Sequence, residues 1–245
     1  MTKLKDKICL ITGGTGLIGK EIIEEFLIEG AIVIFTFNTN SNEAKKLCDS
    51  RKNLYCHKMN IKQKSSIKNL FKFIEKKFKK LDVIVNNAGI NKPTDFDKII
   101  EKDWDEILQV NLKGPFMIMQ ESIKLIKKSS NGSIINVSSV SGQYGGPRTA
   151  HYAASKAGLI SLNQVAARYF SQYNIRCNSL VPGIIKSDMA QKAMKSKQMK
   201  LTNSTILLKR QGSAREVAKC ASFLACDDSS YMTGQILNVN GGLYF

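Results

Sequence analysis

No apolar run in the 245-residue chain approaches the length of a membrane span; the longest, such as Ala31 to Phe35, are strand-length. The apolar stretch behind the first lysines is too short for a secretory leader and runs straight into a glycine-rich loop. Histidine is scarce, with only His57 and His151. The six cysteines, at 9, 48, 56, 177, 220 and 226, form no C-x-x-C pair. Neither residue type is spaced for a metal site, and thiols inside apolar runs are expected to be buried and free. These scarcities predict a cytoplasmic protein with no metal and no membrane segment. No repeat, low-complexity linker or change of composition divides the chain, so one domain is expected over 1–245. Acidic residues are also few, 20 against 37 Lys and Arg, for a net charge of +17. Such a surplus attracts an acidic partner, although a solvated lysine-rich surface accounts for most of it. No helix-turn-helix or arginine-rich segment supports nucleic-acid binding.

Short apolar runs instead alternate with helical stretches along the chain. Lys7 to Thr12, Ala31 to Phe37, Asn53 to Met59, Leu81 to Gly89 with its loop, Gly132 to Ser139, Asn174 to Gly183 and Gln235 to Gly242 read as strands. Helices are expected from Leu17 to Glu29, from near Asn42, around Ile67, Leu70, Phe71, Ile74 and Phe78, from Trp104 to Lys127, and from Tyr152 to Gln172. Strands apolar on both faces, each followed by a helix, predict an α/β fold: a doubly wound parallel sheet with helices on both faces. Ligands of such sheets sit beyond the carboxyl ends of the strands. The polar stretch from Lys186 to Lys209 follows one of those ends and is expected to form a lid there.

The loop Thr12-Gly-Gly-Thr-Gly-Leu-Ile-Gly19 lies between the first strand and the first helix. Missing side chains let a pyrophosphate approach the backbone, and a helix N-terminus favours the negative charge. The Gly-Lys-Ser/Thr ending of a nucleoside triphosphate loop is missing, so a dinucleotide is the better ligand. Candidate contacts are Gly13, Thr15, Gly16, Leu17, Ile18 and Gly19. At the end of the second strand, Thr36 to Asn42 contains neither an acid for a ribose 2′-hydroxyl nor an arginine for a 2′-phosphate. The missing acid leans towards NADP(H), with Asn38 among the donors, and leaves NAD(H) open.

Tyr152 and Lys156 stand four apart in a helical pattern, so they share one face. Ser139 precedes Tyr152 by thirteen residues at a strand end, and strand alternation allows only one of Ser138 and Ser139 to face a ligand. With Asn86-Asn-Ala-Gly89 and Asn111 in Val-Asn-Leu-Lys-Gly, this set resembles the short-chain dehydrogenase/reductase family over essentially the full chain.

The resemblance implies a Rossmann-type domain and a catalytic set of Ser139, Tyr152, Lys156 and Asn111. Asn87, Ala88, Gly89, Pro182, Gly183, Ile185 and Ser187 would join Tyr152 and Lys156 at the cofactor, with Asn60 and Ile61 near its adenine. Tyr152 would protonate the reduced oxygen, lowered from a free pKa of about 10 by Lys156. Ser139 would polarise the substrate oxygen. Asn111 would hold a helix kink and a water chain. The stretches Tyr152 to Leu159 and Asp227 to Phe245 are most similar to 3-oxoacyl-(acyl-carrier-protein) reductases. That branch implies an acidic carrier partner, with Lys124, Lys127, Lys128 and Arg168 as possible contributors to a basic rim. It also implies a homotetramer or dimer packed through the helices after the fourth and fifth strands.

Two residues depart from the family pattern. Leu17 stands where the common loop has glycine, and Asn60 where an aspartate is usual. The loop spacing suits enzymes of sugar metabolism, so a sugar or other secondary alcohol is the alternative substrate. A dinucleotide-sensing regulator is a more distant alternative, disfavoured by the presence of both Tyr152 and Lys156.

Overall fold

The computed structural model describes residues 2–49, 51–186 and 204–245. Among them, seven strands form one sheet in the order β3-β2-β1-β4-β5-β6-β7. The strands are β1 (Ile8–Ile11), β2 (Ile32–Phe37), β3 (Leu54–Lys58), β4 (Val83–Asn86), β5 (Gly132–Val137), β6 (Ile175–Pro182) and β7 (Ile236–Val239). Every pairing is parallel. The order reverses between β1 and β4, which opens a crevice at their carboxyl ends. The expected doubly wound fold is the one observed.

Strand alternation sorts the core into two layers. Leu10, Ile34, Ile84 and Ile134 face α3 (Lys64–Phe78), α5 (Gly114–Ile126) and α7 (Ala150–Phe170). Cys9, Val33, Phe35, Val85 and Ile135 face the other way, onto α1 (Leu17–Ile28), α2 (Ser41–Cys48) and α8 (Ala214–Ala225). Helix α8 was not read from the sequence, although its start carries a reciprocal capping box between Ser213 and Glu216. The remaining short helix, α6 (Ser141–Tyr144), follows β5.

The helix expected from Trp104 to Lys127 is interrupted. Helix α4 (Glu101–Leu108) gives way to a π turn over Gln109–Lys113 before α5 begins. The extra residue per turn swings Asn111 into the interior, where it is fully buried.

A buried asparagine chain positions α7. Asn86 donates to Asn136 at 2.8 Å, Asn136 to Asn163 at 2.9 Å, and Asn163 to the Cys177 carbonyl at 3.3 Å. It links β4, β5, α7 and β6 below the site.

Candidate active site

A crevice of about 600 Å³ lies over the carboxyl ends of β1, β2 and β4. Its lining includes Gly13, Thr15, Gly16, Leu17, Ile18, Gly19, Asn38, Asn60, Ile61, Asn87, Ala88 and Gly89, all expected from the sequence. Pro182, Gly183 and Ile185 lie beyond these walls, at the end of β6; the Pro182 carbonyl accepts from Val140 N–H at 3.0 Å, beside Ser139. Ser187 and residues 187–203 of the expected lid lie outside the described residues.

The glycine loop is built to bring backbones together. Gly13 has φ +67°, and a Cβ there would sit 2.9 Å from Ala88 Cα. A Cβ on Gly14 would sit 2.6 Å from Phe35, whereas one on Gly16 would meet nothing nearer than the Gly13 carbonyl at 3.4 Å. Gly14, absent from the sequence-derived set, is therefore needed for packing, and Gly16 leaves open the space a phosphate needs. Leu17 occupies the first helical position and is about half exposed, so its side chain points away from the turn that glycine would otherwise have to form.

Thr12 is a second residue the sequence reading passed over. Its buried Oγ1 accepts from Asn87 and Ala88 N–H, both at 3.0 Å. Asn87 in turn donates to the Thr12 and Gly13 carbonyls at 3.0 and 3.1 Å. The glycine loop and the Asn86–Gly89 segment are thus one rigid wall. A threonine bordering a glycine loop was the available signal.

Next to this wall, the structure brings Ser139, Tyr152, Lys156 and Asn111 together. Lys156 Nζ lies 5.8 Å from the Tyr152 ring centre. It also donates to the Val137 carbonyl at 2.8 Å. The position of a Gly89 Cβ is 3.4 Å from both Lys156 Nζ and Asn111 Oδ1, which places Gly89 at the junction of these two side chains. Asn111 clamps the next residue twice, accepting from Ile90 N–H and donating to its carbonyl, each at 2.9 Å.

The two serines separate as alternation requires. Ser138 is buried and donates to the Lys156 carbonyl at 2.8 Å, tethering α7 to β5. The Ser139 hydroxyl accepts from Ser141 N–H at 3.2 Å and lies near enough to the Tyr152 hydroxyl to lower its pKa. Gly142, also missed, lets α6 lie directly on α7: a Cβ there would sit 2.7 Å from the Lys156 carbonyl carbon.

Burial sets the protonation of both groups. It raises the Tyr152 phenol above its ordinary value, opposite to the lowering by Lys156 expected from the sequence, while Ser139 pulls the other way. It lowers the Lys156 ammonium to about 8. The phenol is therefore protonated at neutral pH, and the lysine is poised to lose its charge just above it.

Lys124, Lys127, Lys128 and Arg168 fall elsewhere. They occupy or follow the last turns of α5 and α7, which lead into the amino ends of β5 and β6, opposite the crevice. Lys124 pairs with Glu75 and Lys128 caps the Lys79 carbonyl. The expected basic rim is not formed by these four residues beside their own site.

A parallel sheet with a glycine-walled crevice and a Ser–Tyr–Lys cluster at its switch point defines a dinucleotide-dependent oxidoreductase. The chain belongs to the short-chain dehydrogenase/reductase family. Residues 15–244 match the family described as enoyl-(acyl carrier protein) reductase. Among characterised relatives, the 3-oxoacyl-(acyl-carrier-protein) reductase of Thermotoga maritima is 40% identical, covering 98% of this chain and 99% of its own. Those of Aquifex aeolicus and Haemophilus influenzae are 36% and 34% identical, covering 99% and 98% of this chain and 99% of their own. The protein is an NAD(P)-dependent enzyme acting on CH–OH groups and the corresponding ketones.

Proposed function

We propose that this enzyme reduces the 3-keto group of an acyl chain carried as a thioester on an acyl carrier protein, using NADPH. The observation that carries the reading is the paired hydroxyls of Ser139 and Tyr152, backed by Lys156, in a chain that aligns end to end with 3-oxoacyl reductases. A bound nicotinamide dinucleotide supplies the hydride. The glycine loop, Asn60, Ile61 and Asn87 to Gly89 would hold it, with Pro182, Gly183, Ile185 and Ser187 completing the nicotinamide end.

The chain's own residues then do four things. Ser139 donates a hydrogen bond to the ketone oxygen and polarises it. Tyr152, kept protonated by burial, gives its proton to that oxygen as negative charge develops there. Lys156 stabilises the resulting phenolate through its nearby ammonium. Asn111 fixes Ile90, and with it the wall beside Lys156.

The surroundings favour an acyl substrate over a sugar. Phe96, Ile99, Ile100 and Trp104, together with Glu101, line a largely apolar hollow of about 260 Å³ that also includes Ala150, at the start of the helix bearing Tyr152. Its four large apolar side chains suit a hydrocarbon chain.

We also propose a cytoplasmic homotetramer or dimer. Phe116, Val165 and Tyr169 on α5 and α7 are exposed and border an apolar groove of about 350 Å³, which a second copy would cover. The test of function is an assay with NADPH and an acetoacetyl thioester beside a panel of sugar ketones. Turnover of the thioester is expected. Turnover of a sugar ketone with none of the thioester overturns the proposal.

A further inference from the structure

The backbone of Tyr152 is held on both sides. Tyr152 lies in the first turn of α7, where a helix leaves N–H groups without partners. Its N–H donates to His151 Nδ1 at 3.0 Å. Its carbonyl accepts from the Ser155 hydroxyl at 2.7 Å. Ser155 in turn accepts from Asn111 Nδ2 at 3.1 Å. His151, Ser155 and Asn111 are all fully buried.

The relay runs in one direction. An amide N–H can only donate and a carbonyl can only accept, so the single Ser155 proton goes to Tyr152 and a lone pair of its oxygen to Asn111. The other Nδ2 hydrogen of Asn111 goes to the Ile90 carbonyl, and its Oδ1 accepts from Ile90 N–H, each at 2.9 Å. One hydroxyl therefore joins the start of α7 to the π turn and, through Asn111, to the wall that ends at Ile90. Ser155 stands three residues after Tyr152 and directly before Lys156, so both leave the helix within one turn of it.

Resting on the reading that Tyr152 delivers a proton to the reduced ketone, we infer that Ser155 is a positioning residue, which sets the aim of the Tyr152 phenol by tying the Tyr152 carbonyl to Asn111. Ser155→Ala leaves one Asn111 N–H unpaired and frees the start of α7 from the π turn. The helix itself survives, because alanine is the best helix former. What is lost is the alignment of proton donor and acceptor. A misplacement of ~1 Å can cost about 10²-fold in rate, so the smaller shift of one released carbonyl should cost about tenfold. Ser122 supplies the control. It is equally buried and bonds the Met119 carbonyl, also three residues earlier, at 2.7 Å, but that bond stays within α5.

Steady-state reduction of an acetoacetyl thioester with NADPH by the full chain, beside urea unfolding, tests this. S155A should lower kcat about tenfold, with KM for the thioester and Kd for NADPH within about twofold of wild type. Ser155→Thr, which keeps the hydroxyl, should hold kcat within about threefold of wild type. Ser122→Ala should lose a stability comparable to that lost by S155A and keep kcat within about twofold. An S155A chain with wild-type kcat overturns the inference. So does an equal fall of kcat in S122A, which would make the loss one of folding. An S155T chain as slow as S155A overturns it as well, because the hydroxyl would then not be what matters. Failure of the acyl reading shows separately, as a wild-type chain that reduces a sugar ketone and not the thioester; the ratio of S155A to wild-type kcat on that ketone then decides.

Discussion

At the scale of single residues, the site depends on burial and on one lysine. Lys156 is buried with its ammonium lowered to about 8, against roughly 10.4 for a free lysine. Between those values the unfolded chain holds a proton that the folded chain has lost. Stability therefore rises with pH across that window, by up to ~3 kcal/mol from this group, and is lower below it. Buried Cys9 and Cys177, whose thiols are pushed up, pull the other way in both chains, so in urea unfolding at pH 7.5, 9 and 10 the stability of the apo wild type should rise relative to that of Lys156→Met. An equal change in both would place the lysine in water. Ser139→Ala leaves the cluster packed but removes the donor to the substrate oxygen, and kcat should fall about 10²–10³-fold with little change in stability. That result would separate it from Ser138, whose hydroxyl serves α7 instead.

At the scale of elements, the glycine loop makes a graded prediction. Gly13→Ala meets the Ala88 backbone at a positive φ and should lower both stability and dinucleotide affinity. Gly16→Ala meets no close contact, so its unfolding midpoint should stay near wild type while dinucleotide affinity falls. Similar losses of stability in both variants would contradict the assigned roles. The asparagine chain is the second element-scale test. Asn136→Ala leaves buried partners on β4 and α7 unsatisfied and should cost about 1–3 kcal/mol in urea unfolding.

Much of this architecture could be read in the sequence because its signals are local. Apolar runs named the strands, and the four-residue spacing put Tyr152 and Lys156 on one helix face. What escaped were features set by distant contacts. The kink at Asn111 was expected only through the family resemblance, because nothing local in the sequence shows the clamp to Ile90, twenty-one residues away. Gly14 and Gly142 matter only through Phe35 and Lys156. Strand β7, expected to be apolar on both faces, is an edge strand among the described residues and exposes Ile236 and Asn238, which alternate onto one face. Helix α8 went unread because its apolar positions are mostly small, with Ala214, Ala218, Ala221 and Ala225 buried beside Val217 and Leu224.

At the scale of the whole molecule, the two ends of the sheet have different tasks. The carboxyl ends of the strands carry the crevice, the Ser–Tyr–Lys cluster and the apolar hollow. The amino ends carry Asp82, which accepts from Ile8 N–H and Ser129 and ties β1, β4 and the end of α5. Lys124, Lys127, Lys128 and Arg168 also lie there, away from the chemistry. The proposed assembly rests on the exposed apolar residues of α5 and α7, on the flank of the sheet. Val165→Glu should shift the mass measured by light scattering towards the monomer, and an unchanged mass would exclude this face. All of these tasks serve a single proton transfer. The most direct measurement is the turnover of Tyr152→Phe with NADPH and an acetoacetyl thioester. A fall of about 10²–10⁴-fold, with nucleotide affinity retained, is the result predicted. Turnover within a few-fold of wild type would contradict it.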